Sequence, residues 1–196
     1  MHGDGSARGL VLKFNSEGRE ILRGRTDANP AAAQWAACLG PVVDSFADPL
    51  ANAWVLSVLE CQSSPRRSRV GLLSPDAHAA HSTHVLYVRV PAAMAGGQLE
   101  LRRVDLGGGD VAKGITSAEA MRRVEAPLEE AAVAPREGDV VVFRGDAFHR
   151  VRRHTSPAAA GTTTSRISVV LEQYRIPASR YNRTLRWERS SYVRRV

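Results

Sequence analysis

Three side chains of this sequence, His149, Arg166 and Ser168, have the types and spacing to do chemistry together. His149 follows the apolar run and Gly-containing turn of "EGDVVVFRGDAFHRVRRH", where a strand and a turn can aim an imidazole at an open pocket. An imidazole so placed can pack, hold a metal ion or carry a proton. Arg166 opens the run "RISVVLEQY", and Ser168 shares its face because strand side chains repeat every two residues. A guanidinium fork beside a hydroxyl suits a carboxylate, and an inward arginine is costly unless an anion meets it. In isolation, the motif also fits a strand that simply begins at the surface.

The elements that must position these groups are mostly strands. "GLVLKFNSEGREIL" reads as a strand, a Gly turn and a second short strand. "NPAAAQWAACLGPVVDSFADPL" reads as a helix starting at Asn29-Pro30 and ending near Gly40-Pro41. "NAWVLSVLEC", "STHVLYVRVP" and "GGQLELRRV" are short β runs bounded by Pro, Gly or Ser, and "GITSAEAMRRVEAPLEEAAV" is a helical or loop excursion. "GDVVVFRGD" and "SRISVVLEQYRIP" are the clearest strands. Many strands with one early helix predict an α+β chain around a β-sandwich or jelly-roll core, whose open mouth can hold a metal and a small acid. "LGGGD" and "SPAAAGTTTS" are expected as hairpin loops.

At 196 residues and 43% apolar content the chain suits one domain, taken as residues 10–177 between a flexible N-terminus (1–9) and a basic tail (178–196). The net charge of +7 favours acidic partners. The tail interleaves arginines with Tyr181, Trp187 and Tyr192, a pattern that can stack on nucleic acid; a solvated segment lying across the barrel is the preferred reading. Cys38 and Cys61 lack the spacing of a metal knuckle and are expected as buried thiols in a reducing compartment. No apolar run suits a signal peptide or a membrane span, so the expectation is a soluble, cytoplasmic protein with no membrane partner. Neither a Gly-x-Ser-x-Gly motif nor a Cys with a neighbouring His supports a nucleophilic hydrolase.

"GGQLEL", "PREGDVVVFRGDAFHRV" and "SRISVVLEQYRIP", in that order over roughly residues 52–177, resemble the iron(II)- and 2-oxoglutarate-dependent oxygenases, especially the prolyl-4-hydroxylase-like group. The resemblance implies a double-stranded β-helix (jelly-roll) core with an N-terminal helix and a helical or loop insertion. The matching positions are Gly96, Gly97, Pro135, Gly138, Asp139, Phe143, His149 and Arg166. It makes His149 a metal ligand, has Arg166 and Ser168 bind the far carboxylate of 2-oxoglutarate, and places Tyr87 in the cosubstrate pocket. The cofactors implied are Fe(II) and 2-oxoglutarate, and the reaction hydroxylates a C–H bond of a small-molecule or peptide substrate. The separation of His149 from Arg166 exceeds the family's usual one, and "RRHTSPAAAGTTTS" supplies a loop insertion to absorb the excess.

The chain departs from the family at the proximal metal motif: its one His-x-Asp, His2-Gly3-Asp4, lies at the N-terminus, and no His-x-Asp or His-x-Glu stands where the family carries it. That motif belongs shortly before "THVLYV", where the sequence carries Asp76, His78, His81 and His84. Three explanations stand. His78 takes the proximal position with Ala80 in place of the carboxylate, as in the related iron halogenases, or Asp76 or His81 completes a site with His78 and His149. Otherwise the motif is lost, and the fold survives as a catalytically inactive binding module with a basic tail. His84, inside the strand pattern, is the histidine expected to be structural.

Overall fold

The computed structural model describes residues 6–24, 30–62, 80–103, 129–145, 147–156 and 165–195. The first strand, β1 (Ser6–Asn15), alternates Leu12 and Phe14 inward and ends at Asn15. The Asn15 side chain accepts hydrogen bonds from the backbone N–H groups of Glu17 and Gly18, capping helix α1 (Ser16–Leu22). The second strand expected in "NSEGREIL" is therefore a helix, and its glycine is no turn residue. A Cβ on Gly18 would lie 2.0 Å from the Arg186 carbonyl oxygen, so this glycine is needed where two backbones cross.

Helix α2 (Pro30–Phe46) runs through the Gly40-Pro41 pair that was expected to end it. Gly40 lets α2 approach the Leu22 carbonyl at the end of α1, where a Cβ would come within 2.8 Å. Pro41 sits on the exposed side, where its missing N–H costs one helix bond without stopping the chain.

The remaining elements are β2 (Ala53–Cys61), β3 (Ser82–Arg89), β4 (Ala95–Gly96), β5 (Leu99–Arg103), β6 (Glu129–Val133), β7 (Val140–Arg144), β8 (Phe148–Val151), β9 (His154–Thr155), β10 (Arg166–Tyr174), α3 (Ala178–Tyr181) and β11 (Trp187–Arg195). They form a six-stranded sheet ordered β11-β1-β2-β10-β3-β7, a three-stranded sheet β6-β5-β8 and a two-stranded ladder β4-β9, with every pairing antiparallel. The expected β-rich chain with few helices is what forms. Within "GITSAEAMRRVEAPLEEAAV", Glu129–Val133 is strand, and the rest lies outside the described residues, as do "LGGGD" and most of "SPAAAGTTTS".

Two apolar cores flank the large sheet. Leu12, Phe14, Trp54, Leu56, Val169 and Leu171 meet Leu22, Leu39 and Val43 of the helices. On the other face Val85, Tyr87 and Phe143 pack with Leu99 of the small sheet, joined by Leu101, Val151 and Val170, so the two sheets lie face to face as a sandwich. Gln173, fully buried, ties the helical layer to the sheet. Its Nε2 donates to the Phe46 carbonyl at 2.9 Å, and its Oε1 accepts from the Asp48 N–H at 2.7 Å and the Trp54 indole at 3.3 Å.

The segment set apart as a basic tail contains β11, which pairs with β1 along Ser6–Phe14 and closes one side of the large sheet. Trp187 packs beside Phe14 at 6.0 Å between ring centres, and the Arg189 guanidinium lies 5.8 Å from the centre of the Trp35 ring. Tyr181 accepts from the Ser16 N–H. Trp187, Arg189 and Tyr181 are thus engaged in the fold itself. Cys38 is exposed and Cys61 half-buried, so the expectation of two buried thiols is corrected. No helix among the described residues is long and apolar enough to cross a membrane.

Candidate carboxylate and metal site

The period of two along β10 sends Val169, Leu171 and Gln173 toward the helices and Arg166, Ser168 and Val170 toward the small sheet. Arg166 is only 5% exposed and Ser168 4%. Ser168 lies directly opposite Tyr87 on β3, and the register slips by one residue between Ile167 and Ser168, a bulge beside the site. The Arg166 guanidinium stands 5.9 Å from the centre of the Tyr87 ring, a cation–π contact, and its Nη1 donates to the Gly97 carbonyl at 3.0 Å. Its Nε has no partner among the described residues. An unpaired buried donor costs about 1–3 kcal/mol, and this nitrogen is free to donate to an acceptor that enters beside it. Burial pushes the Tyr87 phenol above its ordinary pKa, with the Arg166 cation pulling the other way.

Gly96 and Gly97 make this packing possible. Both hold positive φ, +85° and +76°, and a Cβ on Gly96 would lie 2.1 Å from the Arg153 carbonyl oxygen. A Cβ on Gly97 would sit 3.2 Å from His154 Cβ and 3.5 Å from Arg166 Nη1, so Gly97 separates a buried histidine from a buried arginine. His154 is 5% exposed and pairs with Gly96 across the β4-β9 ladder. Sequence reasoning missed it, because it falls in the stretch taken as a loop insertion and a two-residue strand leaves no periodic signal. Its Nε2 likewise lacks a partner among the described residues. Burial and the nearby Arg166 cation push its pKa down, against a hydrogen bond to the Cys61 backbone that pulls it up.

His149 lies on β8 opposite Leu101, two residues before Val151, on the face that meets the large sheet. Its ring packs on Phe143 at 5.2 Å. Nδ1 is 3.2 Å from the Ala147 carbonyl, which can only accept, so Nδ1 donates there and Nε2 is left for another partner. That is the arrangement of a metal-ligating histidine with its outer nitrogen anchored. The turn before it passes close to the start of β3: a Cβ on Gly145 would lie 2.2 Å from the Ala80 carbonyl oxygen.

Asp76 and His78 lie outside the described residues. His81 is engaged elsewhere, with Nε2 2.9 Å from Asp48 Oδ2 and 2.7 Å from an Arg175 Nη2, so the structure does not bring it to His149. His84, as expected, is structural. Its Nδ1 accepts from Gln173 Nε2 at 3.0 Å and its ring lies on Phe46 among the helix-side contacts. Burial pushes its pKa down, with the Asp48 charge pulling the other way. Among the described residues no three His, Cys, Asp or Glu side chains gather as a metal site. The donor set that is described fits a carboxylate at Arg166, Ser168 and Tyr87, and one metal ligand at His149.

No family model matches the chain, and no curated protein matches its sequence. Several solved structures are similar to it at low identity. An oxidoreductase of the 2OG-Fe(II) oxygenase family from Burkholderia pseudomallei is 14% identical, with a TM-score of 0.44 over 76% of this chain and 59% of that one. A prolyl-4-hydroxylase from Pseudomonas putida is 16% identical, with a TM-score of 0.44 over 87% of this chain and 74% of that one. IDO from Bacillus thuringiensis is 10% identical, with a TM-score of 0.45 over 86% and 73%. The chain thus spans less than two thirds of the Burkholderia protein's length.

Proposed function

We propose that the chain is an iron(II)- and 2-oxoglutarate-dependent oxygenase on a double-stranded β-helix core, hydroxylating a C–H bond of its substrate, with a peptide the first class to try. The observation that carries the reading is Arg166: a guanidinium buried between two sheets, held at one nitrogen by Gly97 and unpartnered at Nε, beside buried Ser168 and Tyr87. A buried cation with no counter-ion among its described contacts is explained by a ligand carboxylate.

In this reading Arg166 and Ser168 bind the distal carboxylate of 2-oxoglutarate and Tyr87 walls the pocket. His149 offers Nε2 to iron, with Asp76 and His78 as its partners from the segment leading to β3. Ala80, the first residue described after that segment, lies against the turn that leads to His149, which supports the pairing. Bound iron and 2-oxoglutarate would supply the oxidative chemistry, coupling decarboxylation to succinate with C–H hydroxylation. The protein's share is to fix the cosubstrate's far end, orient the imidazole through the Ala147 carbonyl and keep water from the space between the sheets.

A second reading rests on the lack of His-x-Asp or His-x-Glu in the segment before β3: a sandwich that binds an acid without metal chemistry, or a His78-x-Ala80 iron site that leaves a position for halide. Anaerobic titration with iron(II) and 2-oxoglutarate separates them. A visible charge-transfer band that vanishes in His149→Ala supports the oxygenase. Folded protein with no band assigns the chain to the non-catalytic class, and a band that changes on adding chloride or bromide points to the halide site.

A further inference from the structure

His154 stands beside the pocket without a role in the reading above. Its Nδ1 side is satisfied: the ring's hydrogen bond to the Cys61 backbone raises its pKa, so the ring donates there to a carbonyl. Nε2 is buried and has no partner among the described residues, and the same holds for Arg166 Nε. The two side chains, from β9 and β10, border the same glycine: a Cβ on Gly97 would meet His154 Cβ at 3.2 Å and Arg166 Nη1 at 3.5 Å. A carboxylate held by Arg166 can be accepted by the histidine only if Nε2 carries a proton, because a lone pair repels it.

We propose that His154 is a further binding group of the acid pocket, and that the pocket takes up one proton at His154 Nε2 when a dicarboxylate binds. This rests on the reading of Arg166 as the carboxylate clamp. The proton comes from solvent, no bond of the ligand is broken, and the bound pair is imidazolium against carboxylate.

The groups around the ring set the direction of the effect. The packed elements carry Arg166 on β10, Tyr87 on β3 and Cys61 on β2, and Arg153 precedes His154 in the chain. Of these, Arg166 acts on the ring as a cation, and among the described residues no carboxylate shifts it. Without ligand its pKa therefore lies below the ordinary value; a bound carboxylate raises it. Affinity is then full below the ligand-free pKa and falls as pH rises, by at most about tenfold per pH unit for one linked proton, until it levels off above the ligand-bound pKa.

The test is calorimetry of the metal-free full chain with 2-oxoglutarate and, separately, glutarate, each in two buffers of different ionisation heat across pH 6–8. Glutarate lacks the keto-acid end that chelates metal, so it probes the pocket whether or not iron belongs there. The expected result is net proton uptake with both acids, lost in His154→Gln and in His154→Asn. The His154 ring resonances of the wild type should also move to the imidazolium position on binding, a readout that needs no variant. Binding without proton uptake, or uptake that persists in both variants, overturns the proposal while leaving the Arg166 clamp standing. No binding by either acid overturns both.

Discussion

Strand β10 has two faces, and they treat buried polarity in opposite ways. Toward the helices, Gln173 is fully buried and spends its amide on Phe46, Asp48, Trp54 and His84. Toward the small sheet, seven residues earlier, Arg166 is equally buried, has one carbonyl partner and leaves Nε unpaired among the described residues, with His154 Nε2 in the same condition nearby. The small sheet also shows that this chain can satisfy a buried charge when none is wanted for a ligand. Glu100 is fully buried on β5, and although burial pushes its pKa up, hydrogen bonds from Arg150 and Arg152 hold it below the usual carboxylate range. Gln173 and Glu100 find their partners within the protein, whereas Arg166 Nε and His154 Nε2 have none among the described residues.

Substitutions on the two faces should therefore diverge. The largest expected effect is from Arg166→Met: diacid affinity falls by roughly 100-fold or more, because one partner of a buried charge pair is gone. Ligand-free stability rises by about 1–3 kcal/mol, because an uncompensated buried cation is replaced by an apolar chain of similar length. Gln173→Ala should do the reverse, costing on the order of 3 kcal/mol by stranding several buried groups, with diacid affinity unchanged in calorimetry. Gly97→Ala sits between them. A φ of +76° and contacts with both His154 and Arg166 should cost about 1–2 kcal/mol in chemical denaturation and weaken diacid binding as well.

The smallest effect is in pH. Burial lowers the folded-state pKa of both His84 and His154, so the unfolded chain binds protons more readily. Their contribution to stability is present above the unfolded histidine pKa of about 6.5 and is lost as pH falls through the folded values. Melting curves of ligand-free protein should drop between pH 7 and pH 5, and saturating glutarate should offset the His154 part but not the His84 part.

The shared face of Arg166 and Ser168 was legible in the sequence because β10 is strongly periodic: Arg-x-Ser at the head of "RISVVLEQY" sets both side chains on one side before any fold is known. His149 was legible for a related reason, a strand and turn that deliver it, and His84 could be set aside because it lies inside a strand pattern. Other features were hidden by physics that acts at a distance. The Asn15 cap resembles a turn until Glu17 and Gly18 are seen to donate to it. Strand β11 reads as a basic tail because its partners are distant in sequence: Arg189 lies over Trp35, and Arg186 just before the strand pairs with Glu17. His154 is placed by the positive-φ glycines opposite it, and no local pattern in "RRHTSP" announces that.

The central claim is that the inner face of β10 is built for a carboxylate, and thermal melting with and without 2-oxoglutarate tests it most directly. The account predicts that wild-type protein melts higher with the diacid, whereas Arg166→Met melts higher than wild type without it and does not respond to it. A variant less stable than wild type, together with wild-type protein indifferent to the diacid, would make Arg166 a structural residue and contradict the account.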